Sequence, residues 1–186
     1  MVAGATLATC LTDVVELAAL RGRRAALERI AAARGVPLPE FGRVTVGQGQ
    51  LLICVRPERY LALTAAAAAG ASVAAWQAAC AGCAATVDLS SGLTMLVLAG
   101  ARARELLTRG WRLDLDTRAF PAGYAAASTL AQVAVTVAAL GSSLLILTPA
   151  TYARHLREWL GGGARSIGLA VGPDVSIAAL CGEPPR

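Results

Sequence analysis

The stretch Arg43-Val-Thr-Val-Gly-Gln-Gly-Gln-Leu-Leu-Ile-Cys-Val55 decides the architecture. Val44 and Val46 alternate with polar neighbours, Gly47-Gln-Gly49 supplies a turn, and Leu51-Leu-Ile-Cys-Val55 is a second β-rich run. Such runs around a glycine turn read as a β-hairpin. Pro57-Glu-Arg-Tyr60 follows and reads as a helix start, because proline is tolerated in a first helical turn. Upstream, residues 14–20 read as a strand and 23–34 as a helix. Leu27, Ile30 and Ala31 form that helix's apolar face, and Gly35 with Pro37 stops it. Residues 71–82 read as a second, Ala-rich helix or an irregular crossover.

The pattern returns about 90 residues later, the spacing expected of two stacked copies of one supersecondary unit. Val135-Thr-Val137, a turn at Gly141-Ser-Ser143, Leu144-Leu-Ile146 and Pro149-Ala-Thr-Tyr152 repeat the earlier order. Strands at 86–89 and 93–98 and a helix at 101–109 precede them. Residues 128–137 read as one strand with Ala131, Val133, Val135 and Val137 on one face. Pro149 opens a last helix, with Leu156, Trp159 and Leu160 inward, which Gly161-Gly-Gly163 ends. The expected fold class is α+β: two pseudo-symmetric β-α-β-β-α halves at about 12–85 and 86–165 in a single domain over 1–186. Residues 166–186 then form a C-terminal tail. One half buries little surface alone, so the halves are expected to share a core.

Composition narrows the function. Of 186 residues, 56% are hydrophobic, only 16% are charged and 4% are aromatic, which is apolar for a free monomer. The core must come largely from Ala, Leu and Val, and alanine offers little area at about 25 cal/mol per Å² buried. Such a domain leans on close packing or on a partner, and a partner is the favoured reading. The net charge is +5 and every basic residue is arginine. The arginines are interleaved with acids and form no dense block, and few aromatics are present to stack bases. Nucleic-acid binding is therefore not expected.

Five cysteines, at 10, 54, 80, 83 and 181, and no recognisable secretory signal suggest reduced thiols in a cytoplasmic setting. Cys80-Ala-Gly-Cys83 matches C-x-x-C, but the only histidine is His155 and no second pair supplies zinc ligands. The motif also lies towards the end of an Ala-rich segment, not at the helix start a redox pair favours. Buried thiols are the expectation. Residues 60–87 and 119–153 carry no charge and exceed bilayer length. The first is mostly alanine and the second is broken by Pro121, Gly123 and Pro149, so neither reads as a membrane helix.

A longer signature runs from Asp88-Leu-Ser-Ser-Gly-Leu-Thr-Met-Leu-Val-Leu-Ala-Gly-Ala-Arg-Ala-Arg-Glu-Leu-Leu107 to Arg112-Leu-Asp-Leu-Asp-Thr-Arg-Ala-Phe-Pro-Ala-Gly123. Gln132-Val-Ala-Val-Thr136 and Ala153-Arg-His-Leu-Arg-Glu-Trp159 continue it. This half of the chain resembles the gamma subunit of heterotetrameric sarcosine oxidase and the related small subunit of N-methylglutamate dehydrogenase. The resemblance implies a fold like the folate-binding domain of the glycine-cleavage aminomethyltransferase. It implies an accessory, non-catalytic subunit of a complex that demethylates sarcosine to glycine and passes the one-carbon unit to tetrahydrofolate. Large alpha and beta subunits would carry FAD, FMN, NAD and tetrahydrofolate, and a small delta subunit would carry zinc. No cofactor, metal or catalytic residue is implied for this chain, and no membrane.

The residues agree that no catalytic set is evident. Gly47-Gln-Gly49 lies in a hairpin and lacks the third glycine of a dinucleotide loop. Asp114 and Asp116 read as a solvated or partner-facing loop, Ser90-Ser91 has no placed base, and His155 reads as a packing or hydrogen-bonding group. Asp88, Arg104, Asp114, Arg118 and Phe120 are expected to be structural or interface positions. Trp111, Arg118, Phe120 and Trp159 are the interface candidates, because aromatics and arginine dominate interface energetics. The resemblance also admits two other readings: the equivalent subunit of an N-methyl amino acid dehydrogenase, and a free-standing folate-binding protein.

Overall fold

Ala5–Ala19 forms one long strand, β1, in a computed structural model that describes residues 3–66 and 70–182. Of the described residues, 3–10 belong with Gly92–Val175 to a C-terminal unit, and Leu11–Ser91 belongs with residues 176–182 to an N-terminal unit.

In the N-terminal unit β1 leads to helix α1 (Arg24–Ala33), strands β2 (Arg43–Gly47), β3 (Gln50–Arg56) and β4 (Arg59–Ala65), helix α2 (Ala71–Ala79) and strand β5 (Ala84–Asp88). The strands pair antiparallel in the order β2-β3-β4-β1-β5. Helical spacing puts Leu27 and Ala31 of α1, and Val73 and Trp76 of α2, into a core with Val15, Leu17, Leu52, Tyr60 and Ala62. The Arg34 guanidinium lies 4.3 Å from the Trp76 ring centroid, a cation–π contact that shields the indole.

Pro57 does not open a helix. Pro57 and Glu58 make a turn, with Glu58 at φ 60°, and Arg59–Ala65 runs on as β4. Proline's fixed φ also suits the first central turn position. Tyr60, Ala62 and Thr64 then alternate with Leu61 and Leu63, a period-two pattern that lets β4 pair with β3 on one side and β1 on the other. Two ladders outweigh the weak helical propensity of one prolyl start.

The C-terminal unit repeats the order as β6 (Leu93–Ala99), α3 (Ala103–Thr108), β7 (Ala125–Leu130), β8 (Val133–Leu140), β9 (Ser143–Pro149) and α4 (Ala153–Gly163). Its pairing order is β7-β8-β9-β6, followed by residues 6–10 of β1, all antiparallel. Leu106 and Leu107 of α3 and Leu156 and Leu160 of α4 close its core over Leu96, Leu98, Val137 and Ile146. Residues 128–137 are not one strand. Ala131 and Gln132 sit at φ 49° and 68° and form a two-residue hairpin turn. Such a turn normally takes Asn-Gly, so no residue there announced it.

Each unit thus contains the run β-α-β-β-β-α, one strand more than expected. In element order β2 stands where β7 does, whereas the Val-Thr-Val recurrence matched β2 with β8. Short apolar triplets are alike on neighbouring strands, so they do not fix a register. Residues 166–182 are more than a tail. Strand β10 (Leu169–Val171) pairs parallel with β1, and helix α5 (Ile177–Cys181) packs on β3 and β4. Among the described residues, no helix is long and apolar enough to cross a membrane.

Candidate functional site

The connection between α3 and β7 carries most of the singled-out residues, and Arg104 fastens it. Its Nη1 donates to the carbonyl oxygens of Leu115 at 2.7 Å and Phe120 at 2.9 Å. Burial lowers the guanidinium's pKa and Asp116 opposes that shift. Asp114 accepts the Asp116 N–H at 2.8 Å, and Asp116 accepts both the N–H and Nε–H of Arg118 at 2.9 Å. The hydrogen bonds from Arg118 hold the exposed Asp116 carboxyl below its ordinary range. The two aspartates are therefore engaged in shaping their own loop, not paired for proton transfer.

Trp111 and Phe120, two of the interface candidates, are buried within this chain, each 5% exposed. Trp111 makes a backbone β-bridge with Leu130 at the end of β7 and shares a buried cluster with Leu115 and Phe120. Phe120 meets Tyr124 edge-on at 6.2 Å. In an Ala-rich chain these rings supply volume that the neighbouring residues cannot. Arg118, by contrast, extends from the loop with 92% of its side chain exposed.

Trp159 is half-buried, and the chain is shaped around it. A Cβ on Gly110 would stand 2.5 Å from the indole, so only glycine allows this seat. The ring lines two depressions. One, of about 390 Å³, includes Gln132, Tyr152 and His155; the other, of about 470 Å³, includes Arg112, Thr129 and Gln132. His155 Nε2 lies 3.4 Å from the Ala131 carbonyl, at the strained turn. Tyr152 is 50% exposed. A pinned indole beside an exposed tyrosine and arginine is suited to contact, because the ring loses little freedom when covered. Gly110 and the Ala131–Gln132 turn were not singled out from sequence, since a loop glycine and two ordinary residues give no local signal.

The other motifs have structural roles. Gln48 and Gly49, at φ 45° and 71°, are the turn of the β2–β3 hairpin. Gly47 is glycine because a Cβ there would meet the Gly35 carbonyl oxygen at 2.0 Å. Ser90 Oγ accepts the Val14 N–H at 3.0 Å, and Asp88 accepts the Ser90 N–H at 2.9 Å. Among the described residues, no group of three or more His, Cys, Asp or Glu is arranged to hold a metal.

Cys80 and Cys83 follow the end of α2, 0% and 5% exposed. Burial, with Cys83 alongside, pushes the Cys80 thiol up to about 11 from 9.0. The folded thiol is therefore held protonated while an unfolded one ionises. Its contribution to stability is complete below pH 9 and is lost as pH rises towards about 11. Thiol-reagent modification of Cys80 at pH 8 should then require unfolding. Rapid modification of the native chain, or stoichiometric zinc abolished by Cys83→Ser, would contradict this account.

Residues 26–164 match the model of the sarcosine oxidase, gamma subunit family. The chain is 32% identical over 136 residues to the sarcosine oxidase subunit gamma of Corynebacterium sp. (strain P-1), which covers 70% of this chain and 66% of that protein. It matches a chain of the heterotetrameric sarcosine oxidase from Corynebacterium sp. U-96, in complex with pyrrole 2-carboxylate, with a TM-score of 0.78 and 28% identity. That match covers 89% of this chain and 86% of the other. The glycine cleavage system aminomethyltransferase T from Bartonella henselae shares the fold at a TM-score of 0.66 and 18% identity, over 96% of this chain and 49% of that one. On the family match and the curated relative together, the chain belongs to the sarcosine oxidase gamma subunit family.

Proposed function

We propose that this chain is the non-catalytic accessory subunit of a heterotetrameric, sarcosine-oxidase-like flavoprotein complex. The observation that carries the reading is the match over 89% of the chain to a chain of a heterotetrameric sarcosine oxidase. In this reading the complex demethylates sarcosine to glycine and transfers the one-carbon unit to tetrahydrofolate. Its large alpha and beta subunits hold FAD, FMN, NAD and tetrahydrofolate, its delta subunit holds zinc, and it works in the cytoplasm. The present chain contributes contact surface. Arg118 and Trp159 meet a larger subunit directly, with Arg112 and Tyr152 beside the indole, while Trp111 and Phe120 support that surface from the core. The recurring β-α-β-β-β-α order is read as a diverged duplication, as in the aminomethyltransferase-like fold.

Two results are expected. The purified chain shows no flavin absorbance and no oxygen consumption with sarcosine, whereas the co-expressed assembly shows both. Trp159→Ala weakens assembly by about 2 kcal/mol, the scale of a central aromatic contact, without a matching loss in the stability of the free chain. Turnover of sarcosine by the chain alone would overturn the accessory reading.

A further inference from the structure

A third depression, of about 370 Å³, lies in the C-terminal unit beside helix α4 and strand β10. Leu7, Ala164, Leu169 and Val171 give it apolar walls, and Arg157 and Arg165 give it charge; among the described residues no aspartate or glutamate lines it. Arg157 is half-buried, and its Nη2 donates to Thr9 Oγ1 at 2.7 Å. That bond fixes the guanidinium while leaving other N–H groups to donate. Among the described residues neither arginine makes an ion pair, although Arg102, Arg109 and Arg154 of the same unit each meet a glutamate. Two cations, one of them fixed, therefore face an apolar hollow without a counter-charge.

We propose that this depression docks an acidic, extended segment of a partner subunit, with Arg157 and Arg165 receiving its carboxylates. The partner is the complex inferred above, and the proposal rests on that reading. A backbone, not a small carboxylate, fits because β10 pairs only with β1 among the described residues. Its other edge presents unpaired N–H and C=O groups, which an added strand satisfies. Val171 on this strand is 81% exposed, and a small anion would leave it uncovered. Charge agrees, since a chain of net charge +5 attracts acidic segments and orients them before contact.

The test uses the co-expressed assembly, comparing the tagged wild-type chain with Arg165→Glu, Arg157→Glu/Arg165→Glu and the control Arg154→Glu, all checked for folding by thermal unfolding. Arg165 makes no hydrogen bond or ion pair within the described residues, so its reversal leaves the fold intact. The expected result is at least about tenfold weaker association for Arg165→Glu, more for the double variant, and a steep salt dependence in the wild type that both variants flatten. Arg154→Glu should change association far less. A wild-type chain that finds no partner refutes the accessory reading and this proposal with it. Wild-type assembly with Arg165→Glu and the double variant unaffected, or with all three variants equally weakened, refutes the docking pocket alone. Glutarate is the small-molecule probe. Saturable glutarate binding to the free chain that Arg157→Gln abolishes would identify a metabolite site and also refute the proposal.

Discussion

Trp111→Ala should lower the stability of the isolated chain by about 3–5 kcal/mol, the range for truncating a buried tryptophan. The indole is 5% exposed and its Nε1 has no hydrogen-bond partner among the described residues, so no polar interaction with them is lost to complicate the result. What disappears is a large apolar surface packed with Leu115, Phe120 and Leu130, and the cavity left is too large for those side chains to close. Denaturant unfolding of the chain without any partner is the measurement. A loss below about 1 kcal/mol, combined with defective assembly, would return Trp111 to the interface and contradict its place in the core.

Arg104→Ala should cost about 3 kcal/mol, because it removes two hydrogen bonds from a charged donor, each worth roughly 1.5–3 kcal/mol. The carbonyls of Leu115 and Phe120 would be left without that donor. The cost should appear locally first. Amides of residues 112–120 should exchange faster with solvent than those of β8 and β9, since the loop's remaining bonds are mostly internal, such as Phe120 N–H to the Asp116 carbonyl. Arg104→Lys should recover only part of the loss, since the shorter lysine stem ends one bond short of the place from which Nη1 reaches both carbonyls. Unchanged exchange across this loop would show that Arg104 does not fasten it.

Much of the architecture was legible where hydrophobic period and turn chemistry agreed. Leu27 and Ala31, and Leu156 and Leu160, recur at helical spacing and do lie inward. Gly-Gln-Gly marked the β2–β3 hairpin. The reading failed where two signals conflicted or none existed. Pro57 carried a helix-start signal in a segment whose alternation served two strand ladders. Ala131 and Gln132 adopt left-handed backbone at roughly 1 kcal/mol or more each, a conformation neither residue advertises. The interface candidates divided for a related reason. A tryptophan in a loop reads the same whether it faces solvent or core, and the fold buries Trp111 while Trp159, on helix α4, stays partly exposed at the edge of the same core. The role of Gly110 depends on the indole ring that comes to rest on it, a long-range contact that residue identity does not encode.

The most direct test of the central claim is the mass and composition of the assembly recovered when the tagged chain is co-expressed with the flavoprotein subunits of its own organism. Size exclusion with mass detection and flavin absorbance reads both at once. The accessory-subunit account predicts one flavin-containing species holding this chain and three other subunits in equal amounts. Elution of the tagged chain as a flavin-free monomer, apart from a fully active flavoprotein peak, would contradict it.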